Sequence, residues 1–171
     1  MRGRDGFDRI KGFLLFLSNL IKMLPFNIRV ICFNHARNIQ GKKGLAIRYL
    51  ILMTLAKKCG DNVTIHPNVF LFNVQKLSLG NNISIHPMCY IDATGGINIG
   101  NDVSIANGTT IMSTTHTYQD LIIPIKDQIV EKKQVIIYDN VWIGARVTIL
   151  AGINIHSGVI VGANSVVTKN I

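Results

Sequence analysis

The chain has 171 residues, a length that fits one domain and allows a hydrophobic core to be buried. Apolar residues make up 48% of it and charged residues only 16%, which excludes an intrinsically disordered protein. The net charge of +9 is confined to one region, because residues 1–58 carry twelve Lys or Arg and two Asp, giving +10, while the rest sums to −1. Any anionic partner is therefore expected to bind the N-terminal third.

Two stretches of this N-terminal third are predicted to be helical. Residues 8–24 and 45–58 are rich in Leu with Lys or Arg interspersed, whereas Pro25 and residues 38–44 break the pattern. Residues 26–33 fit either a strand or a helix. The first apolar stretch is interrupted by polar residues and falls short of the roughly 20 apolar residues that span a bilayer. No small-residue cleavage site follows it, so it does not match a signal peptide.

The basic, apolar N-terminal segment, residues 1–58, has two interpretations. Its helices can pack on the end of the following domain as a cap, or its surface can rest on an anionic membrane. The two interpretations do not exclude each other. Nucleic acid is not expected as a partner, because the positive charge is interleaved with Leu and Phe and does not lie on a groove-reading motif.

From residue 59 onward, an aliphatic residue recurs every six positions. A six-residue unit suits one short strand and a tight turn, in which Gly, Asn and Asp supply the backbone angles. If three units form one turn, the anchor residues point inward and stack coil upon coil. Two steps of eight residues are explained as bulges at corners. The anchors are Cys59, Ile65, Leu71, Leu79, Ile85, Ile91, Ile99, Ile105, Ile111, Ile137, Ile143, Ile149, Ile155, Val161 and Val167. The turn residues are Asn82, Asn101, Asp102, Asn140 and Asn164.

The sequence therefore predicts a mainly β protein with two parts. A parallel β-helix of hexapeptide repeats covers residues 59–171 and follows the helical segment of residues 1–58. The repeat is interrupted once on a large scale, by a loop at residues 113–136 where the step between anchors is 26 residues. Long loops in compact domains are usually functional.

His116 lies at the start of this loop, where the last regular coil anchors it and a cleft can form beside it. The other four histidines lack such a position. His66, His86 and His156 each follow an anchor directly and are expected to face outward, as surface or inter-subunit groups, while His35 lies in the basic segment without an obvious partner. His116 is therefore the candidate catalytic base.

Other kinds of site find little support in the sequence. The three cysteines, Cys32, Cys59 and Cys89, are widely spaced without a CxxC pair, which fits a reducing cytosol. No two histidines show metal-ligand spacing on one element, so no metal is expected. A nucleophile elbow, a Walker-type loop and a dinucleotide fingerprint are also missing from the sequence.

Two segments resemble a known family. They read IGNDVSIANGTTIMSTTH, ending at His116, and YDNVWIGARVTILAGINIHSGVIVGANSVVTKNI, ending at Ile171. Both resemble the hexapeptide-repeat acyltransferases of the maltose and galactoside O-acetyltransferase type, and the resemblance covers residues 59–171. It implies a left-handed parallel β-helix, a homotrimer, acetyl-CoA as donor, and active sites in clefts between neighbouring subunits.

The resemblance also implies roles for particular residues. His116 matches the catalytic histidine of the family. Six residues match positions of the family's donor site. These positions include the aromatic residue of VWIG, the residue whose backbone amide faces the thioester, and residues along the pantetheine arm and phosphates of CoA. They are Trp142, Gly144, Ala145, Ala163, Thr168 and Lys169.

The sequence departs from the family in two places. The asparagine near the acceptor has no counterpart in the stretch IHPMCYID, where His86 or Asp92 is expected to take its place. The chain also stops at Ile171, where relatives continue into a segment with a Pro-Ala pair, so either the end of the CoA site is incomplete or the chain is cut short.

The expected chemistry is direct acetyl transfer to a hydroxyl. An imidazole with a pKa near ~6.5 can remove the hydroxyl proton at neutral pH. In this scheme neutral His116 acts as base, an amide near Ala145 stabilises the oxyanion, and His116 then protonates the departing thiolate. A backbone carbonyl or an acid of the loop holds the other ring nitrogen, and the loop acids are Asp120, Asp127 and Glu131.

The acceptor is inferred from the N-terminal segment. Its basic, Leu-rich character suggests an enzyme at the inner face of a bacterial membrane, cytoplasmic or peripheral, that acetylates a sugar of a surface polysaccharide or its precursor. A small non-sugar acceptor, serine or an antibiotic, is the alternative within the enzyme class. A non-catalytic β-helix scaffold is the alternative outside it.

Overall fold

A computed structural model describes residues 3–171 of the chain, and the side chains of residues 11–171. The first part of this region is helical, with α1 at Gly3–Lys22, α2 at Phe26–Ala36 and α3 at Gly41–Leu55. Residues 26–33 are therefore helix, which decides between the two predicted alternatives. Pro25 separates the first two helices, as expected, because a proline disfavours the helical conformation of the residue before it.

The predicted bounds of the third helix are wrong at both ends. It begins at Gly41, inside the stretch that was expected to break the pattern, and it ends at Leu55. Gly44 explains the early start, because a Cβ atom at this position would lie 2.1 Å from the carbonyl oxygen of Ile39. Gly44 thus permits a close backbone approach inside a helix, where glycine alone normally signals a break. Two residues after Ala56, the chain enters the first strand.

Helix α3 is the centre of the N-terminal segment. Helices α1 and α2 both pack on it, and α3 in turn packs on the first strands of the β-helix. Leu52 and Leu55 of α3, Leu14 of α1 and Phe33 of α2 are all buried. The helices therefore cap the end of the β-helix, as one of the two interpretations expected.

Arg48 joins the cap to the first coil. This residue of α3 is 0% exposed, and its guanidinium donates hydrogen bonds to the carbonyl oxygens of Ile65 at 2.7 Å, Ala36 at 2.9 Å and Ile39 at 2.7 Å. Burial lowers the pKa of Arg48 below its ordinary value. One cation thus connects α2, the turn before α3 and the β-helix.

The rest of the described chain is a parallel β-helix. Fifteen of the seventeen strands found within residues 3–171 form three parallel sheets of five strands, so that five coils each contribute one strand to each sheet. Sheet A contains β1 (Lys58–Cys59), β4 (Leu77–Leu79), β7 (Ile97–Ile99), β12 (Val135–Ile137) and β15 (Asn154–Ile155). Sheet B contains β2 (Thr64–Ile65), β5 (Ser84–Ile85), β8 (Ser104–Ile105), β13 (Trp142–Ile143) and β16 (Ile160–Val161). Sheet C contains β3 (Phe70–Phe72), β6 (Tyr90–Asp92), β9 (Thr110–Met112), β14 (Thr148–Ile149) and β17 (Val166–Val167).

The six-residue anchors form the core of this β-helix. Strand pairing aligns each anchor with the corresponding anchor of the next coil, as in Ile85 with Ile105 and Ile105 with Ile143. Thirteen of the fifteen anchors are buried, and the other two, Cys59 and Leu71 in the first coil, are partly buried. The predicted parallel β-helix of hexapeptide repeats is confirmed.

The turns use the residues that the pattern predicts. Asn82, Asp102, Asn140 and Asn164 have positive φ values between 57° and 62°, a conformation that Asn and Asp tolerate better than most residues. Asn101 instead accepts a hydrogen bond from the backbone N–H of Asn81 in the previous coil, at 2.9 Å. Side chains and backbone together therefore keep successive coils in register.

The helices of the cap are shorter or more polar than a membrane-spanning helix. Within residues 3–171, none is both long enough and apolar enough to cross a bilayer.

Candidate active site

The one large interruption of the repeat is a β-hairpin. It leaves the β-helix between β9 and β12, at the corner where the chain passes from sheet C to sheet A, called here the C–A corner. Strands β10 (Thr114–His116) and β11 (Val130–Lys132) pair antiparallel, so that His116 lies opposite Val130. A 3-10 turn at Ile125–Asp127 lies in the connection between them.

Ser113 fixes the base of this hairpin. It is fully buried, its hydroxyl donates to the carbonyl oxygen of Asp92 at 2.6 Å, and the same hydroxyl accepts from the N–H of Gly95 at 2.8 Å. Its carbonyl oxygen accepts from the N–H of Lys133 at 2.9 Å, which closes the hairpin. His116, three residues further on, is thus carried by a paired strand with a rigid foundation.

The far end of the hairpin is held by Gln128. Its buried amide donates to the carbonyl oxygens of Asp120 at 2.8 Å and Ile123 at 2.9 Å. The Asp120 carboxylate accepts the backbone N–H groups of Ile122 and Ile123, and these hydrogen bonds lower the pKa of Asp120. The Asp120 carboxylate therefore stabilises the turn in which it lies.

His116 borders a cleft of about 430 Å³ at the C–A corner. The imidazole is exposed, so a substrate can reach it. Of the three acids that were considered as its partner, Glu131 lines this cleft, and the Glu131 carboxylate also forms an ion pair with Lys133 at 2.6 Å. The cleft is lined by His116, Met112, Tyr118, Glu131, Leu150 and Thr168, among others.

Thr168 is the predicted donor-site residue that the structure brings to His116. It follows β17 in the last coil and lies at the same C–A corner. Lys169 comes next in the chain and borders a smaller cleft of about 300 Å³ beside the last coil. Of the predicted donor-site residues, Thr168 therefore lies near the candidate base.

The other predicted donor residues lie elsewhere on the same chain. Trp142 is the first residue of β13 in sheet B and is 52% exposed, and Gly144, Ala145 and Ala163 lie in the turns from sheet B to sheet C, called here the B–C corner. A Cβ atom at Gly144 would come within 2.6 Å of the backbone nitrogen of Ala163, so this position requires glycine. Within the described residues of one chain, none of these four lines the His116 cleft.

The two predicted acceptor residues are also separated. Asp92 ends β6 at the C–A corner, where its carboxylate accepts from the N–H of Thr94 at 3.0 Å and from the Thr94 hydroxyl at 2.5 Å. His86 lies at the B–C corner and stacks on His66, with ring centroids 4.7 Å apart. Burial, then the neighbouring His86 and Arg48, lower the pKa of His66. Only Asp92 is near the hairpin of His116.

The remaining histidines and cysteines show no catalytic arrangement. His156 is exposed and stacks on Tyr138 at 5.3 Å, and His35 is exposed near the end of α2. Burial raises the pKa of the Cys59 thiol to about 12 and that of the Cys89 thiol to about 11, which makes both poor nucleophiles. In the part of the chain that the structure describes, no three His, Cys, Asp or Glu side chains are grouped as metal ligands.

Comparisons with known proteins point to one family of repeats. A family model described as the hexapeptide repeat of succinyl-transferase matches residues 134–169. No curated protein matches the chain significantly.

Solved structures are similar over most of the chain. A maltose O-acetyltransferase from Clostridium difficile 630 is 27% identical over 85% of this chain and 76% of its own, with a TM-score of 0.73. A hexapeptide-repeat acetyltransferase from Vibrio cholerae O1 biovar eltor, complexed with acetyl-CoA, is 22% identical over 85% of this chain and 77% of its own, with a TM-score of 0.74. An N-acyltransferase mutant from Bacillus cereus, in complex with dTDP-4-amino-4,6-dideoxyglucose and coenzyme A, is 25% identical over 68% of this chain and 75% of its own, with a TM-score of 0.53. The predicted resemblance to hexapeptide-repeat acyltransferases is confirmed.

Proposed function

We propose that the protein is an O-acetyltransferase that moves an acetyl group from acetyl-CoA to a sugar hydroxyl, with His116 as general base. The observation that carries this proposal is the cleft that joins exposed His116 to Thr168 on a hexapeptide-repeat β-helix. A similar chain is a maltose O-acetyltransferase, and a second similar fold holds acetyl-CoA. Acetyl-CoA is a co-substrate in this proposal, and no metal takes part.

The proposed reaction proceeds in one transfer. Neutral His116 accepts the hydroxyl proton while the acceptor oxygen attacks the thioester carbonyl carbon. The tetrahedral intermediate then breaks its carbon–sulfur bond, and the imidazolium returns the proton to the CoA thiolate. A backbone N–H near Ala145 stabilises the oxyanion. The raised thiol pKa values of Cys59 and Cys89 support this direct route over a cysteine acyl-enzyme, and the third cysteine, Cys32, is on α2 and does not line the His116 cleft.

A homotrimer completes the proposed site. His116 and Thr168 lie at the C–A corner of a chain, whereas Trp142, Gly144 and Ala163 lie on sheet B and at the B–C corner. In this proposal, threefold packing of the prisms sets the B–C corner of one subunit beside the C–A corner of its neighbour.

Exposed apolar side chains support such an interface. Ile160 and Val166 are exposed on the outer faces of sheets B and C, and Leu121 and Ile122 of the hairpin are 98% and 93% exposed. Contiguous exposed apolar surface marks interaction sites in soluble proteins. Burial of these side chains against a second copy of the chain would explain why apolar residues occupy exposed positions.

The outer surface of the cap supports the proposed acceptor class. Helix α1 buries Leu14 and Ser18 against the rest of the cap, yet it exposes a second apolar stripe of Phe13, Phe16 and Leu20. We infer that this stripe enters the headgroup region of an anionic membrane, because residues 1–58 carry a charge of +10. The enzyme would then work as a peripheral protein at the inner, cytoplasmic face, on a sugar of a surface polysaccharide or its precursor.

Membrane binding is expected to depend on the exposed stripe of α1. The double variant Phe13→Ser/Phe16→Ser removes two aromatic side chains that are 64% and 60% exposed, so it should lower cosedimentation with anionic vesicles at least tenfold. Vesicles of phosphatidylglycerol and phosphatidylcholine serve as the probe, and pure phosphatidylcholine vesicles should bind the wild type weakly.

The control variant is Ile125→Ser/Ile129→Ser, which removes two apolar side chains of the hairpin that are 59% and 76% exposed. It should bind vesicles like the wild type. If both double variants bind as the wild type does, the membrane proposal fails.

The proposed function itself is tested with an acceptor screen. Labelled acetyl-CoA is incubated with the full chain and with nucleotide sugars, oligosaccharides, serine and aminoglycosides. Label transferred to a sugar hydroxyl is the expected result. Label on serine or an antibiotic would favour the small-acceptor alternative. If the chain neither transfers the label nor binds acetyl-CoA, the non-catalytic scaffold is favoured.

A further inference from the structure

A second cleft lies at the C–A corner, between α2 and the first coil of the β-helix. Its volume is about 450 Å³, similar to that of the His116 cleft. Three phenylalanines and several polar side chains line it, among them Phe26, Phe70, Phe72, Asn34 and Arg37. Both the size and the mixture of aromatic and polar groups are typical of ligand sites.

Arg37 is the single charged side chain among the described residues that line this cleft. Its guanidinium carbon lies 4.1 Å from the ring centroid of Phe70, which holds the planar group in a cation–π contact. The Nε atom of Arg37 is buried and has no hydrogen-bond partner among the described residues. A ligand in the cleft would therefore meet the terminal N–H groups of the guanidinium, because Nε is shielded from solvent.

The strand ladder places this cleft in line with His116. Phe72 pairs with Asp92, and Asp92 pairs with Met112, so the three residues lie in register at the same corner of successive coils. Phe72 lines the cleft at α2 and Met112 lines the His116 cleft. With neighbouring strands about 4.8 Å apart, these two residues are separated by about 10 Å along the axis.

We propose that the cleft at α2 binds the phosphate or diphosphate group of the acetyl acceptor, with Arg37 as the anion-binding residue. This inference rests on the proposed function and specifies its acceptor as a phosphorylated glycan longer than a free monosaccharide. The guanidinium fork suits phosphate oxygens, since its N–H groups donate in parallel. The phenylalanine rings offer apolar faces for the sugar that follows the phosphate.

Two acceptors share this chemistry: a nucleoside diphosphate sugar and a lipid-linked sugar diphosphate. Phe26 lines the cleft and begins α2, only six residues after Leu20 of the exposed stripe of α1. A diphosphate carried by a membrane lipid can therefore reach the cleft from that side. The test includes a probe for each source.

Binding is measured by isothermal titration calorimetry of the full chain with inorganic diphosphate, UDP-glucose and farnesyl diphosphate, without acetyl-CoA. Arg37→Gln should weaken binding of all three probes about tenfold, the effect of a lost charge-assisted hydrogen bond. Arg37→Lys keeps the charge but loses the fork, so it should recover part of the affinity.

Lys43→Gln is the matched control, since Lys43 is an exposed cation near the start of α3 and is not part of the cleft. It should change the affinities less than twofold. Melting curves establish that the variants fold. Tighter binding of UDP-glucose would identify a nucleotide-linked source, and tighter binding of farnesyl diphosphate a lipid-linked one.

Two results would overturn the inference. Either Arg37→Gln binds all three probes like the wild type, or Lys43→Gln loses as much affinity as Arg37→Gln does. Because acetyl-CoA is left out, a failure of the proposed acetyl transfer does not alter this readout. Conversely, unchanged diphosphate binding leaves acetyl transfer to an unphosphorylated sugar intact.

Discussion

His116→Ala should lower the rate of acetyl transfer by a factor of about 10² to 10⁴, the usual contribution of a general base. The hairpin strand that carries His116 is anchored through Ser113, and the imidazole itself is exposed. Loss of this side chain should therefore leave the melting temperature nearly unchanged. Initial rates with labelled acetyl-CoA and the best acceptor of the screen measure the effect.

His35→Ala is the control for this variant, because His35 is also exposed but lies on the cap. It should transfer acetyl like the wild type. A His116→Ala protein that retains the wild-type rate would remove His116 from the mechanism.

Mixed trimers extend the same experiment to the interface between subunits. Ala163→Trp should block the donor site, since Ala163 is exposed at the B–C corner. When His116→Ala and Ala163→Trp subunits are coexpressed, about a quarter of the interfaces in random cyclic trimers combine an intact His116 with an intact Ala163 from the neighbour. Recovery of activity in the mixture supports a shared site, whereas two inactive parents with an inactive mixture would place the site within one chain.

Arg48→Met should destabilise the protein by about 4 kcal/mol, because two buried carbonyl oxygens and one partly buried one lose their donor, and each buried loss costs about 1–3 kcal/mol. These are the carbonyl oxygens of Ile65, Ala36 and Ile39. Urea unfolding followed by circular dichroism at 222 nm gives the change in free energy of unfolding. The helical signal should be lost at a lower urea concentration than in the wild type.

Two further variants separate charge from geometry at this position. Arg48→Lys can satisfy fewer of the three carbonyl oxygens, so its stability should lie between those of the wild type and Arg48→Met. Lys42→Met removes an exposed cation from the first turn of the same helix and should change stability by less than about 0.5 kcal/mol. A loss below about 1 kcal/mol in Arg48→Met would show that Arg48 does not hold the cap on the coil.

The β-helix could be predicted from the sequence because its core repeats with a fixed period. Anchors such as Ile85, Ile105 and Ile143 are buried at the positions that the six-residue spacing gives. The loop at residues 113–136 was equally visible, since a 26-residue step breaks that spacing, but its antiparallel hairpin was not predicted. Both signals are local in the chain and need no knowledge of neighbouring elements.

The burial of Arg48 could not be predicted, because an arginine among leucines of a helix usually keeps its charge in water. Its partners are carbonyl oxygens from residues 9 to 17 positions away, which no periodic pattern reveals. The early start of α3 was missed for a related reason, since the tight contact of Gly44 with Ile39 depends on packing.

The distribution of the predicted site residues over two corners could not be predicted from the sequence either. A family match assigns Trp142 and Thr168 to one donor site without showing that they lie on different sides of the prism. Only the arrangement of the sheets separates them. The roles of His86 and Asp92 remain predictions, although Asp92 at least lies at the corner that carries His116.

The hairpin also changes the chain entropy of the β-helix. Corner hydrogen bonds between successive coils usually join residues 20 positions apart, as from Asn81 to Asn101, but across the hairpin Asn101 reaches Asp139, 38 positions away. Loop closure costs only about 0.6 kcal/mol more for each doubling of the loop length. An insertion at this corner therefore adds little to the loop-closure cost of the β-helix.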